Sequence, residues 1–261
     1  MSSMASPVKI KFGVLVAVLT TALTASASVQ IAIAQENKSM SSPTTANVSE
    51  ALSVHQQAIV AVAAFAALGD ISRLGTSLNA GLDAGLTISD AREVLVQLYA
   101  YAGFPRSLNA LAELKRVVDE RKANGKKDAL GREPSKPALK GDALIAAGTV
   151  NQTALSGAPV EGPLFDFAPV ANEYLRAHLF GDIFERDNLD WQSRELATVS
   201  MLSTLPGAES QLQAHMRMSM NTGVSAAQLR ELVQVLAAKV SDETSQRALQ
   251  ALEQHLASRT P

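Results

Sequence analysis

Phe180–Gly223 reads FGDIFERDNLDWQSRELATVSMLSTLPGAESQLQAHMRMSMNTG. Asp190 is a candidate N-cap, and Leu196, Val199 and Leu202 follow it at helical spacing. Pro206-Gly207 ends that helix. A second helix runs from about Ala208 to Asn221, with Gly223 as its C-terminal stop. In an antiparallel hairpin, residues equidistant from the turn come side by side. Glu195 lies eleven residues before Pro206 and His215 nine after it. The two can face each other, and a carboxylate beside an imidazole is a proton-transfer pair. The same pair can also be a plain structural ion pair, and Glu195 can serve the dipole at its helix start, worth about 0.3–1 kcal/mol.

The rest of the chain sets bounds on what such a hairpin belongs to. Of the 261 residues, 47% are hydrophobic, enough for a packed core. Aromatic residues are only 4% while Ala and Leu abound, which favours helix on helix. Lys and Arg number 23 against 25 Asp and Glu, without a long basic run, so nucleic acid is not an expected partner. There is no cysteine, which excludes disulfides, thiolate metal sites and cysteine catalysis. The histidines, His55, His178, His215 and His255, show no metal-binding spacing, so no metal site is expected.

Residues 1–34 read as a signal peptide. Lys9 and Lys11 precede the apolar run Phe12–Leu23, and two A-x-A sites follow. Cleavage after Ala34 is expected, leaving no stable membrane span and a periplasmic or secreted protein. An uncleaved anchor is the alternative, because 12–34 is uncharged and long enough to span. Residues 35–48 form a polar, flexible leader. From 49 to 125 four helices are expected: Ser49–Leu68, Asp70–Ala84, one capped by Thr87 or Ser89 that carries Val94, Leu95, Leu98 and Tyr101, and one from Pro105 to about Arg121. Gly103-Phe104-Pro105 separates the last two. Residues 126–163 read as a connector along the surface, rich in Gly, Pro, Lys and Ser. The second unit, 164–258, adds helices Pro169–Phe180, Ser225–Ala237 and Ser241–Ser258 to the central hairpin.

The two units read as copies at an offset of 138. Gly85 matches Gly223, Arg92-Glu93 matches Arg230-Glu231, and Val94, Leu95 and Leu98 match Leu232, Val233 and Leu236. His215 then corresponds to Ser77 and, with one gap in the turn, Glu195 to Ala58. The first copy lacks both proton-transfer groups and reads as structural. The second reads as the active one.

The string Phe180-Gly181-Asp182-Ile183-Phe184, then Arg186, Leu189-Asp190, Arg194-Glu195-Leu196, and His215 eight residues before Gly223, resembles the carboxymuconolactone decarboxylase family, which includes the alkylhydroperoxidase D-like proteins. Tyr101–Leu111, YAGFPRSLNAL, is likewise similar to that family. The resemblance implies an all-α protein: two tandem alkylhydroperoxidase D-like helical repeats packed as one bundle-like unit. It implies a site built on Glu195 and His215, acting without cofactor on a small carboxylate or lactone. His215 is the expected acid and Glu195 its orienting partner, with the opposite assignment left open. Arg186 and Arg194 are the candidates to grip a substrate carboxylate, since Arg can do so bidentately. Trp191, beside the helix start, either packs the loop or lines the pocket. Met216, Met218 and Met220 are expected to fill core and interface, and His178 and His255 to be surface or interface histidines.

The hydroperoxidase branch uses a CxxC pair just before the histidine. The corresponding positions here are Ala208 and Gln211, and in the first copy Asp70 and Arg73, so thiol peroxide reduction cannot run. The family forms trimers or hexamers, and a duplicated chain is expected to build a six-unit ring from three chains. A non-catalytic oligomeric scaffold or binding protein of the same fold is the alternative reading.

Overall fold

The computed structural model describes residues 51–258. The signal peptide, leader and anchor readings for residues 1–48 lie outside them. Helices are the only regular elements among the described residues, and none is long and apolar enough to cross a membrane.

Two helices form the centre. The first, α1 (Val54–Leu68), starts at Ser53 in a capping box with Gln56, which satisfies the free N–H groups of its first turn. It is buried at every residue from Ala58 to Ala67. Alanine side chains let neighbours approach from all sides, and a helix apolar all round belongs in a core. Packed against it is α8 (Trp191–Ser203), capped by Asp190 through Ser193 N and buried at every residue from Ser193 to Ser203. Its buried hydroxyls turn back on their own helix: Thr198 donates to Arg194 O at 2.9 Å, Ser200 to Leu196 O at 2.6 Å and Ser203 to Val199 O at 2.6 Å.

The duplication is visible element by element. Helix α2 (Ile71–Asp83) and helix α9 (Glu209–Asn221) have bounds 138 residues apart at both ends. Helix α3 (Ile88–Gln97) starts behind Thr87 and α10 (Ala226–Lys239) behind Ser225, again at that offset. The turns before them need left-handed backbone, supplied by Gly85 (φ 92°) and Gly223 (φ 97°). Ser53 and Asp190, the caps of the central pair, stand 137 apart, in accord with the one gap in the turn. Helix α4 (Tyr99–Ala123) is kinked at Gly103 (φ 80°, ψ 160°), where the second copy has Ser241 capping α11 (Asp242–Ala257). One apolar core runs through both copies, with Leu74, Val94 and Leu98 from the first and Leu196, Leu232 and Leu252 from the second.

The structure departs from the expected connector. Residues 126–163 carry a helix, α5 (Gly141–Ser156), whose buried face is Gly148, Asn151, Gln152 and Leu155. That face is mostly polar, so hydrophobic periodicity does not reveal it. Burial is possible because Asn151 Nδ2 donates to Phe180 O (2.8 Å) and Glu185 Oε1 (2.7 Å), and Gln152 Nε2 to Asn172 Oδ1 (3.0 Å). The expected helix Pro169–Phe180 is also different. After α6 (Pro163–Phe167), only α7 (Pro169–Tyr174) is α-helical, and Leu175–Ile183 winds as a π-helix. Helix α5 crosses this segment with backbone almost on backbone.

Gly148 makes that crossing possible, since a Cβ there would stand 1.8 Å from Arg176 O. Gly148→Ala is expected to cost about 3 kcal/mol by overpacking, read as a fall in the urea midpoint. Gly85→Ala, whose Cβ meets nothing within 4 Å, should show only the smaller left-handed backbone cost of about 1 kcal/mol.

Candidate active site

Helix α8 delivers Glu195 and helix α9 delivers His215. The turn between them closes through Gly207 (φ 84°), whose N–H donates to Glu209 Oε1 at 2.9 Å. His215 Nδ1 lies 2.8 Å from Glu195 Oε2. With Glu195 ionised, the proton of this bond sits on Nδ1, which leaves Nε2 as the working nitrogen. Glu195 is 0% exposed and His215 6%, so the imidazole edge is the only part of the pair that meets the outside.

Tyr101 completes the arrangement, and it comes from the first copy, at the start of α4. Its ring meets the imidazole edge-on at 5.5 Å and 80°. Its hydroxyl is buried and makes no hydrogen bond within the protein, and neither does Glu195 Oε1. Thr198, beside that hydroxyl, already donates to Arg194 O and accepts from Gln97 Nε2 at 2.7 Å. Burial first, then the Glu195 carboxylate, pushes the Tyr101 phenol well above its ordinary range. It therefore remains a neutral donor at neutral pH. Tyr101 Oη and Glu195 Oε1 are thus two buried polar atoms without protein partners, each belonging to a side chain in contact with the imidazole. The sequence singles out Tyr101 only as part of YAGFP, because nothing local shows which copy's site it faces.

The two arginines do something other than what their charge suggested. Arg194 is 0% exposed, so its guanidinium has no open side. Its Nη2 donates to Glu93 Oε2 (3.1 Å) and to Arg186 O (2.9 Å), and its Nη1 to Gln97 Oε1 (3.3 Å). Arg186 holds the same Glu93 bidentately, Nε to Oε2 at 2.8 Å and Nη2 to Oε1 at 2.7 Å. The carboxylate they grip belongs to the protein, which corrects the substrate-binding expectation for Arg194. For Arg186, already spent on Glu93 but partly exposed, the free side borders a cavity of about 360 Å³ that Trp191 and Asn151 also line. Neither Glu195 nor His215 lines that cavity. Trp191 mainly packs: Nε1 donates to Phe184 O at 3.1 Å, and its ring meets Phe184 at 6.1 Å.

The pseudo-symmetric pairing exists on the other side, where Gln57 Nε2 donates to Glu231 Oε1 at 2.9 Å. Gln57 and Glu231 are the counterparts of Arg194 and Glu93, so each copy sends one carboxylate into the other. The repeated Arg-Glu at 92–93 and 230–231 was the sequence signal for this tie. Among the remaining histidines, His178 is exposed and pairs with Asp182 at 3.1 Å, and His55 pairs with Asp90 at 3.1 Å. His255, expected at the surface or at an interface, lies buried within the chain on the inner face of α11. Met216 and Met218 are core residues, as expected. No group of three metal-ligating side chains comes together among the described residues.

The chain matches the model of the Carboxymuconolactone decarboxylase family over residues 43–116 and 169–254. Tyr101 and Glu93 fall in the first match, Glu195 and His215 in the second. No curated protein matches the chain.

Burial alone would raise the Glu93 carboxyl, but the Arg186 bonds and the Arg194 charge hold it at about 2, against an ordinary 4.5. The unfolded chain therefore takes up this proton first as pH falls. The stabilisation is complete above pH 4.5 and is lost as pH falls towards 2. Glu93→Gln is expected to lose on the order of 3 kcal/mol at neutral pH and to flatten the acid limb of a stability-against-pH curve measured by urea unfolding.

Proposed function

The chain belongs to the carboxymuconolactone decarboxylase family, and on that premise we propose that it is a cofactor-independent, carboxy-lyase-like enzyme acting on a small carboxylated lactone or a related acid. The observation that carries this reading is the 2.8 Å contact between His215 and Glu195, with the imidazole the less deeply buried member. In the proposed reaction the carbon–carboxylate bond breaks and carbon dioxide leaves. The electron pair moves into the conjugated carbonyl as a dienolate. His215 Nε2 delivers the proton that the carbon needs, and solvent returns one to the imidazole. Glu195 holds the ring and offsets its charge in the cationic state. Being wholly buried, it acts in this reading through His215, and that burial supports the histidine as the acid. The Tyr101 hydroxyl is the available donor for the dienolate oxygen.

We further propose that the mature protein is periplasmic or secreted, with cleavage near Ala34, and that it assembles as a trimer whose six repeats form a ring. Its partners in this reading are the small-molecule substrate and further copies of itself. Peroxiredoxin-type chemistry is not part of it, because the chain has no cysteine.

The second reading is the non-catalytic oligomeric scaffold. The burial of Glu195 favours it, since a sealed ion pair can serve packing alone. Turnover separates the two. The purified chain is assayed on carboxymuconolactone and on β-oxo and 2-oxo acids. His215→Ala is expected to lower kcat by about a hundredfold or more with little change in KM. Tyr101→Phe should lower kcat by about tenfold. Turnover that survives His215→Ala unchanged, or none with any of these acids, returns the protein to the scaffold reading.

A further inference from the structure

The two copies differ at the place where the second holds its proton-transfer pair. In the second copy, Glu195, Thr198, His215 and Met218 are all buried, and Glu195 and His215 join α8 to α9. Met218 also packs with Leu155 and Phe180, so α5 and the π-helix cover that face. At the matching positions the first copy has Ala58, Ala61, Ser77 and Ala80. Every one is smaller. The deleted volume is not filled by neighbours: an open trough of about 360 Å³ lies there between α1 and α2.

The relation extends to the rim. Tyr101 of the first copy stands over the second copy's site. Its counterpart at the 138-residue offset, Lys239 of the second copy, stands at the rim of the first copy's trough. Arg73 lines the same trough. Its Nε donates to Asp70 at 2.6 Å and its guanidinium lies 4.8 Å over the Phe65 ring, so its charge is already answered. Lys239 is exposed and makes no hydrogen bond or ion pair among the described residues. Of the two charged residues that line the trough, Lys239 is therefore the unpaired one, and the floor combines Ala58, Ala61, Ala80 and Phe65 with the polar Gln57, Thr76 and Ser77.

We propose that the first copy is not a blank but a second binding site, which takes a small monocarboxylate with a ring-sized apolar body. The volume suits a single ring, at the lower end of small-molecule pockets. The apolar part lies on Ala58, Ala61 and Phe65, and the carboxylate meets Lys239 with Arg73 beside it. One unanswered cation selects a monoanion over a dianion and over a neutral ring. No reaction is assigned to this site, since it has neither a carboxylate nor an imidazole to move a proton. Its existence is independent of turnover at Glu195 and His215.

Benzoate is the probe, with benzyl alcohol as the uncharged comparison, and binding is measured by calorimetry on the purified chain. Saturable binding of benzoate is expected, tighter than benzyl alcohol. Ala80→Met restores the second copy's residue on an exposed helical position, where Met is well tolerated. It should weaken benzoate by about tenfold or more by filling the trough. Lys239→Gln, a surface change with no packing role, should weaken benzoate by about threefold to tenfold and leave benzyl alcohol unaffected. His215→Ala should leave binding unchanged, which separates this site from the proposed reaction centre. The assignment is overturned by an absence of saturable binding, by equal affinity for the alcohol, or by binding lost in His215→Ala and kept in Ala80→Met. It is also overturned if benzoate does not bind and Ala80→Met changes the mass seen by light scattering, which would give the trough to a second copy of the chain.

Discussion

Helix α8 is enclosed on every side, and that single condition organises the molecule. A helix without a solvent face must find an internal partner for each polar group it carries. The hydroxyls of Thr198, Ser200 and Ser203 close on carbonyls of the helix itself. Its two charged residues cannot do that. Arg194 finds Glu93 on α3 of the other copy, and Glu195 finds His215 on α9 of its own. Adjacent residues on one buried helix thus face opposite ways, one tying the copies together and the other forming the pair around which a reaction can be organised. Breaking either partnership leaves a charge where it has no solvent to fall back on.

The duplication explains why the charges sit where they do. Both copies send a glutamate across to the other, Glu93 to Arg194 and Glu231 to Gln57. The crossing does not depend on a proton-transfer pair, since it is present in the copy that lacks one. Only the second copy made its crossing ionic. There the surrounding elements closed in, with α5 and the π-helix packed over Met218. In the first copy, smaller residues stand at the matching positions and the space is open. One fold therefore presents two different environments at equivalent positions: a buried, polar one around Glu195 and His215 and an open, largely apolar one with a cation at its rim.

Sequence reading placed the helices well where their signals are local. Asp190, Ser225 and Ser241 cap the helices expected behind them, and Gly103 breaks α4 as its neighbour Pro105 suggested. It failed where burial rests on polar side chains. The face of α5 made by Gly148, Asn151, Gln152 and Leu155 carries no apolar stripe, so 126–163 looked like a surface connector. Arg186 and Arg194 looked like free cations because their acceptor, Glu93, lies about a hundred residues away in the chain.

By itself the sequence determined the all-helical class, the tandem repeat, the absence of thiol chemistry and the pairing of Glu195 with His215. Each of these is written in caps, spacings, composition or the distance of two residues from one turn. Tertiary structure alone decided that Tyr101 meets the other copy's His215, that Glu93 holds both arginines, and that the first copy has a trough where the second has Glu195 and His215. The physical reason is common to all three. They are contacts between copies, set by how two helical units pack face to face, and no local pattern along the chain encodes which side chain will lie across the interface.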